Sequence, residues 1–214
     1  MRSPLIGLLL ACMVLAGCRH HGVRGNGVEA SEQRSPGEFT AVEISGTFGV
    51  TIRCGEPSGA RVTADNNLLP LVRTEVRGST LHIYSEKELD PRTRLHVDLT
   101  TPSLTDVSVS GVASIDITRF EGESLSLMVN GAASIDAEGT VHDARFAISG
   151  AGKLSTERLH AANVRVEVSG AGKADVYASE SLDVNLSGAG SVHYSGDPRN
   201  VTKNISGVGF VSKK

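Results

Sequence analysis

One set of polar side chains recurs at a fixed place in a repeated sequence unit and could do chemistry. Five residues after a recurring glycine, the chain carries Asp116, Asp136, Ser155, Asp175 and His193. If successive units stack as neighbouring strands about 4.8 Å apart, Asp116 and Asp136 lie side by side as a like-charge pair. Paired carboxylates are the ligands that calcium prefers, so this column is a candidate cation site.

Other interpretations of the same column remain open. An acidic column can begin the cluster with which polysaccharide lyases of similar shape bind a metal and a uronate substrate. It can also form ordinary surface pairs with Lys153 and Lys173, each worth about 0–1 kcal/mol. No basic residue is placed to act on a substrate there, and the seven histidines show no metal-ligand spacing. We therefore predict no catalytic, cofactor-binding or metal residue, and leave cation binding by Asp116, Asp136 and Asp175 open.

Two further motifs do not support an enzyme. The Gly-Ala-Gly-Lys sequences at 150–153 and 170–173 lack the first glycine of a phosphate loop, and no serine or threonine follows the lysine. A phosphate loop also needs a helix behind it, and no long amphipathic helix is predicted. The Gly-x-Ser-x-Gly elbow of hydrolases does not occur. The sequence therefore predicts a protein that is not an enzyme.

The elements that position these residues form a repeat. A glycine preceded by a small polar residue and two alternating apolar positions recurs with spacings of 20, 19, 20, 18 and 19 residues, at Gly111, Gly131, Gly150, Gly170, Gly188 and Gly207. Alternation of period two within a repeat of this length is typical of a β-solenoid, because each coil buries its apolar edge against its neighbours. We predict an all-β, right-handed parallel β-helix of about 19–20 residues per coil.

Alignment on the glycines predicts which residues point inward. The position two residues before the glycine holds Val109, Val129, Ile148, Val168, Leu186 and Ile205. The position four before it is apolar in every coil except the last, where it is Lys203. Val42 to Ile52 fits the same template, and the 65 residues from Gly46 to Gly111 leave room for about three longer coils. Residues 66–72 are predicted to form a turn or short helix that covers one end.

The first eighteen residues have the form of an export signal. A positive start precedes an apolar run of twelve residues, Leu5 to Ala16, which is too short to span a bilayer as a helix. Leu15-Ala16-Gly17-Cys18 resembles the bacterial lipobox, in which the cysteine is lipidated; the alternative is an ordinary signal peptide. We predict lipid attachment at Cys18. Arg19 is not an inner-membrane retention signal, which favours the outer membrane.

The predicted domains are a lipoprotein signal at 1–17, a flexible tether at 18–36 and a β-helix at 37–214. The tether is rich in Gly, Ser, His and charge. Cys54 is the single cysteine left for the folded domain, so it cannot form an internal disulfide and is predicted to be buried. A net charge of −3, 4% aromatic residues and no tryptophan indicate no nucleic-acid surface.

Three features of the sequence carry a specific resemblance to a known family. Residues 39–52, the segment Ala64-Asp65-Asn66-Asn67-Leu68 and the repeated Ser-Gly-Ala-Gly resemble the bacterial family called putative auto-transporter adhesin, head GIN domain. The resemblance covers residues 37–214 and implies an exported lipoprotein with a parallel β-helix. The name of the family suggests an adhesive role, and the resemblance implies no catalytic residues.

Together these observations predict a non-enzymatic cell-envelope lipoprotein, an adhesin or structural module that presents a rigid β-helix surface. Its expected partners are the membrane, through the N-terminal lipid, and a protein or polysaccharide; self-association through uncapped ends is a further possibility. The alternative is a calcium-dependent polysaccharide-binding or lyase-like protein. No cofactor and no nucleic acid are expected. The exposed face expected to contact a partner is the column of Asp116, Asp136 and Asp175 with Lys153 and Lys173.

Overall fold

The computed structural model describes residues 22–214, and these are almost entirely β-strand. Within them no helix is long and apolar enough to cross a membrane. One short 3-10 helix lies at Leu69–Leu71. The strands are, in chain order, β1 (Val23–Arg24), β2 (Glu29–Arg34), β3 (Ala41–Ser45), β4 (Thr47–Cys54), β5 (Gly59–Asp65), β6 (Val72–Arg77), β7 (Thr80–Ser85), β8 (Leu89–Asp90), β9 (His96–Thr101), β10 (Asp106–Val109), β11 (Val112–Val129), β12 (Ala132–Ile148), β13 (Ala151–Val168), β14 (Ala171–Leu186), β15 (Ala189–Ser195), β16 (Asn200–Ile205) and β17 (Val208–Lys213).

The predicted solenoid is confirmed. Each regular coil is a long strand with two arms, the first after the repeat glycine and the second before the next one. First arms pair in parallel with first arms, and second arms with second arms, through β11, β12, β13 and β14. The first-arm sheet continues into β4 and β9 on one side and into β15 and β17 on the other. The second-arm sheet likewise contains β7, β3, β10 and β16.

The core consists of the inward columns that the alternation predicts. Val109, Val129, Ile148, Val168 and Leu186 are at most 1% exposed. The last coil differs, because nothing in the described chain stacks on its outer side. Ile205 there is 44% exposed, and Phe210 is 54% exposed. We call the outer edge of β16 and β17 the open end.

The glycine column has a steric cause. A Cβ atom on Gly150 would lie 1.9 Å from the carbonyl oxygen of Gly131 in the preceding coil. The same close approach occurs at each repeat glycine, from Gly111 to Gly207. The backbone turns so tightly at this corner that only a residue without a side chain lets successive coils stack.

The N-terminal half does not add three coils between Gly46 and Gly111, and that expectation is wrong. β3 and β4 stack directly on β10 and β11. The chain between them passes to the outer side of this coil, where β7 and β9 add one parallel layer. β5 and β6 then pair antiparallel with β9 and β7. Antiparallel strands close the stack because they reverse the chain at its edge instead of continuing the coil.

A short helix covers this end, as the sequence predicts. Leu68 is fully buried and Leu69 is 8% exposed, at the start of the 3-10 turn between β5 and β6. Arg34 of β2 donates hydrogen bonds to the carbonyl oxygens of Val72 (2.7 Å) and Leu69 (3.0 Å). We call the end formed by β1, β2, β5, β6, β8 and this helix the capped end.

The described part of the predicted tether is not flexible chain. β1 pairs in parallel with β8, and β2 pairs antiparallel with β5. The prediction of a tether to residue 36 is therefore wrong for residues 22–34, which we call the N-terminal strap. The tether prediction rests on the low apolar content of this segment. The strap is nevertheless ordered, because hydrogen bonds and strand pairing hold it with little apolar burial.

Candidate binding faces

The predicted polar column lies in register on the first-arm sheet. Asp116, Asp136, Ser155, Asp175 and His193 are direct partners in consecutive strands. Asp116 is exposed and Asp136 is half-buried, whereas Asp175 is only 6% exposed. The sequence thus predicted the alignment, but it did not predict that Asp175 is buried.

Asp175 is the centre of an ion-pair cluster. Its carboxylate oxygens lie 3.2 Å from Lys173 Nζ, 2.9 Å from Lys214 Nζ and 3.4 Å from His193 Nδ1. Lys214 also pairs with Glu157 of β13. Burial alone would raise the pKa of Asp175, but the two ammonium groups hold it below its ordinary value. The charge of this carboxylate is compensated within the protein by the two lysines, but its Oδ1 has no hydrogen-bond partner of good geometry.

The column does not assemble a metal centre. Among residues 22–214, no group of three or more His, Cys, Asp or Glu side chains is arranged to hold a metal ion. Asp116 and Asp136 remain a pair, and the next partner in register is Ser155. The geometry therefore lends no support to the calcium-dependent alternative.

A second polar cluster lies near the capped end, and sequence reasoning missed it. His96 is 6% exposed; its Nε2 is 3.0 Å from the Thr51 hydroxyl, and its Nδ1 is 3.1 Å from Arg94. The ring occupies space left by Gly49, where a Cβ would lie 2.6 Å from Nδ1. Burial and the nearby Arg94 charge lower the pKa of His96, so the ring is neutral at pH 7. The glycine within β4 was the one signal that could have indicated it.

The outward face of the second-arm sheet carries a denser polar network. Arg145, Arg165 and Asp183 are register partners in three successive coils. Arg165 Nε donates to Glu167 Oε1 at 2.8 Å, and Arg145 donates to the same oxygen at 3.2 Å. These pairs fix the guanidinium planes across neighbouring coils.

Amide and hydroxyl side chains continue this network on both sides. Asn163 Nδ2 donates to Asp143 Oδ1 at 2.9 Å, and the Ser181 hydroxyl donates to Asn163 Oδ1 at 2.6 Å. At the other edge, Asn204 Nδ2 donates to Asn185 Oδ1 at 2.9 Å. Each bond joins one coil to the next, so the side chains form ladders parallel to the solenoid axis.

Two shallow depressions lie on this face. One, of about 400 Å³, is lined by Asp143, Asn163, Arg165 and Asp183 among others. The second, of about 450 Å³, lies beside it and shares Arg165 with it. Its lining combines the apolar groups of Met128 and Ala147 with the polar side chains of Asn130, Glu167 and Asn185. We call this region the second-arm groove; sequence reasoning, which favoured the acidic column, did not identify it.

The chain matches a family model across most of its length. The model described as "Putative auto-transporter adhesin, head GIN domain" matches residues 38–198. The chain belongs to this family. No curated protein matches it significantly.

Solved structures share the fold of this head GIN domain. A putative adhesin from Bacteroides fragilis is 20% identical with a TM-score of 0.71, and 90% of this chain covers 100% of that chain. A putative lipid binding protein from Parabacteroides distasonis (22% identical) and a putative adhesin from Parabacteroides merdae (21% identical) both have TM-scores of 0.55. In both, 90% of this chain covers 99% of that chain. At these identities the likeness establishes the fold alone.

The structure tests the prediction made for Cys54 but not the one made for Cys18. Cys54 of the head GIN domain is 4% exposed and unpaired, as predicted, and burial raises the pKa of its thiol to about 11. At pH 7 it is therefore protonated and inert. Cys18, the predicted lipid site, lies outside the described residues.

Proposed function

We propose that this head GIN domain is a non-enzymatic binding module of the cell envelope that holds an extended glycan along the second-arm groove. The observation that carries the proposal is the groove itself, in which Arg165 and the side-chain ladders line two adjoining depressions. The family description as an adhesin supports a binding role, and the glycan is our own assignment.

The chemistry of the groove suits sugar hydroxyl groups. Amide, hydroxyl, carboxylate and guanidinium groups each donate or accept several hydrogen bonds. Arg165 lies 3.7 Å from Asp183 and is also bonded to Glu167. The charged groups that line the two depressions are two arginines and four carboxylates: Arg145, Arg165, Asp106, Asp143, Glu167 and Asp183. This excess of negative charge disfavours an acidic polymer and favours a neutral ligand.

The repeat suits a polymer better than a small molecule. Outward side chains recur in each coil at about 4.8 Å, so a long ligand meets hydrogen-bonding groups at several successive positions. Both depressions are shallow and open, which spreads the contacts along the ligand. The ladders hold the side chains in place before binding, and this reduces the entropy lost on binding.

We further propose that the protein is exported, lipid-anchored at Cys18 and destined for the outer membrane. The lipobox-like Leu15-Ala16-Gly17-Cys18 sequence supports this proposal. The acyl chains of a lipoprotein would bind stably to a bilayer, since each buried methylene contributes about 0.8 kcal/mol. The intact mass of the N-terminal peptide from protein made in bacteria tests it, and an unmodified Cys18 would contradict it.

The glycan proposal is tested with the mature chain lacking lipid, residues 19–214, against a panel of neutral and acidic polysaccharides in calcium or chelator. We expect chelator-independent retention of a neutral polysaccharide, and its loss in Arg165→Ala/Asn185→Ala. The matched control is Lys153→Ala/Asp136→Asn on the opposite sheet, which should bind normally. Binding that needs calcium and fails only in the control variant would support the alternative, a calcium-dependent polysaccharide binder that uses the acidic column.

A further inference from the structure

The N-terminal strap determines where the chain leaves the folded domain. Val23 N donates to the carbonyl oxygen of Glu88 at 2.8 Å, and Gly25 N donates to that of Asp90 at 2.9 Å. β8 belongs to the connection between β7 and β9, the outermost parallel layer. The chain therefore leaves the domain at the capped end, on the opposite side from β16 and β17.

A buried carboxylate fastens the strap. Asp65 is fully buried and accepts three backbone hydrogen bonds, from Gly27 N at 2.6 Å, Arg92 N at 2.9 Å and Thr93 N at 3.0 Å. Asn67 adds a bond from its Nδ2 to the Arg24 carbonyl oxygen at 2.9 Å. The carboxylate thus joins three segments of the capped end, and the strap is part of the domain.

This attachment shortens the link to the predicted lipid site. Four residue steps separate Cys18 from Gly22, and a fully extended chain of that length spans at most about 14 Å. Had the chain been free to residue 37, nineteen steps would span up to about 65 Å. The first-arm sheet, from β2 to β17, stacks ten strands in the described chain, which at about 4.8 Å per spacing gives roughly 43 Å.

We propose that the capped end is a membrane-facing surface, held against the lipid headgroups by this short link, and that the open end projects away from the bilayer. The proposal rests on lipid attachment at Cys18. Exposed Arg24, Lys87 and Arg92 lie at the capped end together with exposed Glu86 and Asp90. This mixture of charges tolerates a headgroup surface, while the lipid provides the affinity. The second-arm groove then stands upright and can be reached from the side.

The test uses the full-length lipidated protein, reconstituted in phosphatidylethanolamine/phosphatidylglycerol vesicles that contain a nitroxide-labelled lipid as quencher. A fluorophore is placed on Lys87→Cys at the capped end or on Arg199→Cys near the open end. Cys54 is buried and does not compete for the label. We expect strong quenching at position 87 and none at position 199, because the two ends are separated by roughly 43 Å along the stack. Equal quenching of both labels, or quenching of neither, would overturn the proposal.

Two variants test whether the strap holds the capped end close to the bilayer. Asp65→Asn places an amide NH₂ against backbone N–H donors, so the strap should detach and quenching at position 87 should fall. Insertion of about 16 Gly and Ser residues after His21 adds an r.m.s. span of about 22 Å without touching the fold, and it should reduce quenching in the same way. Undiminished quenching in the insertion variant would contradict control by the link.

Acylation is measured on every sample by the mass of the N-terminal peptide. A protein without acyl chains fails the anchoring proposal itself, and the orientation proposal falls with it. An acylated protein with the wrong quenching pattern overturns only the orientation. Glycan retention by residues 19–214 is measured without a membrane and is independent of both results.

Discussion

The two ends of the solenoid differ in how far their edge strands and apolar core are covered. At the capped end, β5 and β6 run antiparallel to the coils, and the strap and Leu68 cover the stack. At the open end, β16 and β17 each pair on one side only within the described chain, and Ile205 and Phe210 are exposed. Repetition stabilises the middle, where every coil has two neighbours, but it cannot complete an end. The ends therefore require sequence that departs from the repeat.

The largest expected effect is at the glycine column. Gly150→Ala places a methyl group against a backbone oxygen between two coils that cannot separate, and we expect it to lower the free energy of unfolding by more than about 3 kcal/mol. Gly207→Ala has a similar clash with Gly188, but its coil is free to move outward, so the loss should be smaller. Urea denaturation of both variants measures the difference.

The control is Gly78→Ala in the β6–β7 turn, where φ is +64° and a Cβ would meet nothing within 4 Å. It should cost only about 1 kcal/mol through backbone strain. Equal losses at Gly150 and Gly78 would mean that conformation, and not the contact between coils, requires glycine.

Core truncation should also distinguish the middle from the open end. Leu127→Ala removes a fully buried side chain between two coils, with an expected loss of about 3 kcal/mol. Ile205→Ala removes a side chain that is 44% exposed, and should cost about 1 kcal/mol. Denaturant midpoints at constant m-value measure both. Similar losses would show that the open end is covered in solution.

Acid should loosen the capped end by titrating Asp65. Burial favours the protonated carboxyl, but the backbone N–H groups of Thr93, Gly27 and Arg92 outweigh it and lower the pKa of Asp65. Its stabilisation is therefore fully present above the unfolded pKa of about 3.9 and is lost as the pH falls through the lower folded value.

Hydrogen exchange of the Gly27, Arg92 and Thr93 amides between pH 5 and pH 2 measures this release. Asp65→Asn should expose the same amides already at neutral pH, whereas Asp136→Asn should not. Continued protection of these amides in Asp65→Asn would show that strand pairing alone holds the strap.

The smallest expected change in stability is at the open end. Lys203 occupies a core column in register with Val184, and its Nζ lies 5.1 Å from the centre of the Tyr194 ring. A lysine at a sheet edge opposes further strand pairing. Lys203→Val should change the free energy of unfolding by less than about 0.5 kcal/mol, yet promote concentration-dependent association. Sedimentation velocity compares it with Lys153→Val; the same mass for both variants would contradict this role.

The sequence predicted the regular coils well because their signals are local and repeated. The glycine spacing gave the coil length, and alternation identified inward residues such as Val129 and Val166. The same pattern predicts three coils between Gly46 and Gly111, but this region forms one parallel layer, β7 and β9, with two antiparallel strands, β5 and β6. Alternating strands look alike whether they pair in parallel or antiparallel, so only the long-range partner decides between the two.

The two outward faces also differ in how far the sequence predicts them. The register of Asp116, Asp136 and Asp175 follows from the repeat, so the sequence predicted the column. The neutralisation of Asp175 depends on Lys214, which is 39 positions away along the chain. The second-arm groove depends on bonds such as that between Arg145 and Glu167, which join different coils. Single residues in the sequence do not identify such partners.

By itself, the sequence determined the solenoid, its coil length, its core columns and the glycine corner, because these follow from period-two burial and from contact between identical neighbours. Only the tertiary structure decided where residues 55–105 go, that the strap joins the domain, and which outward face is a groove. Those features depend on unique contacts between distant segments, such as Asp65 with Gly27 and Arg92. A unique contact leaves no periodic signal in the chain.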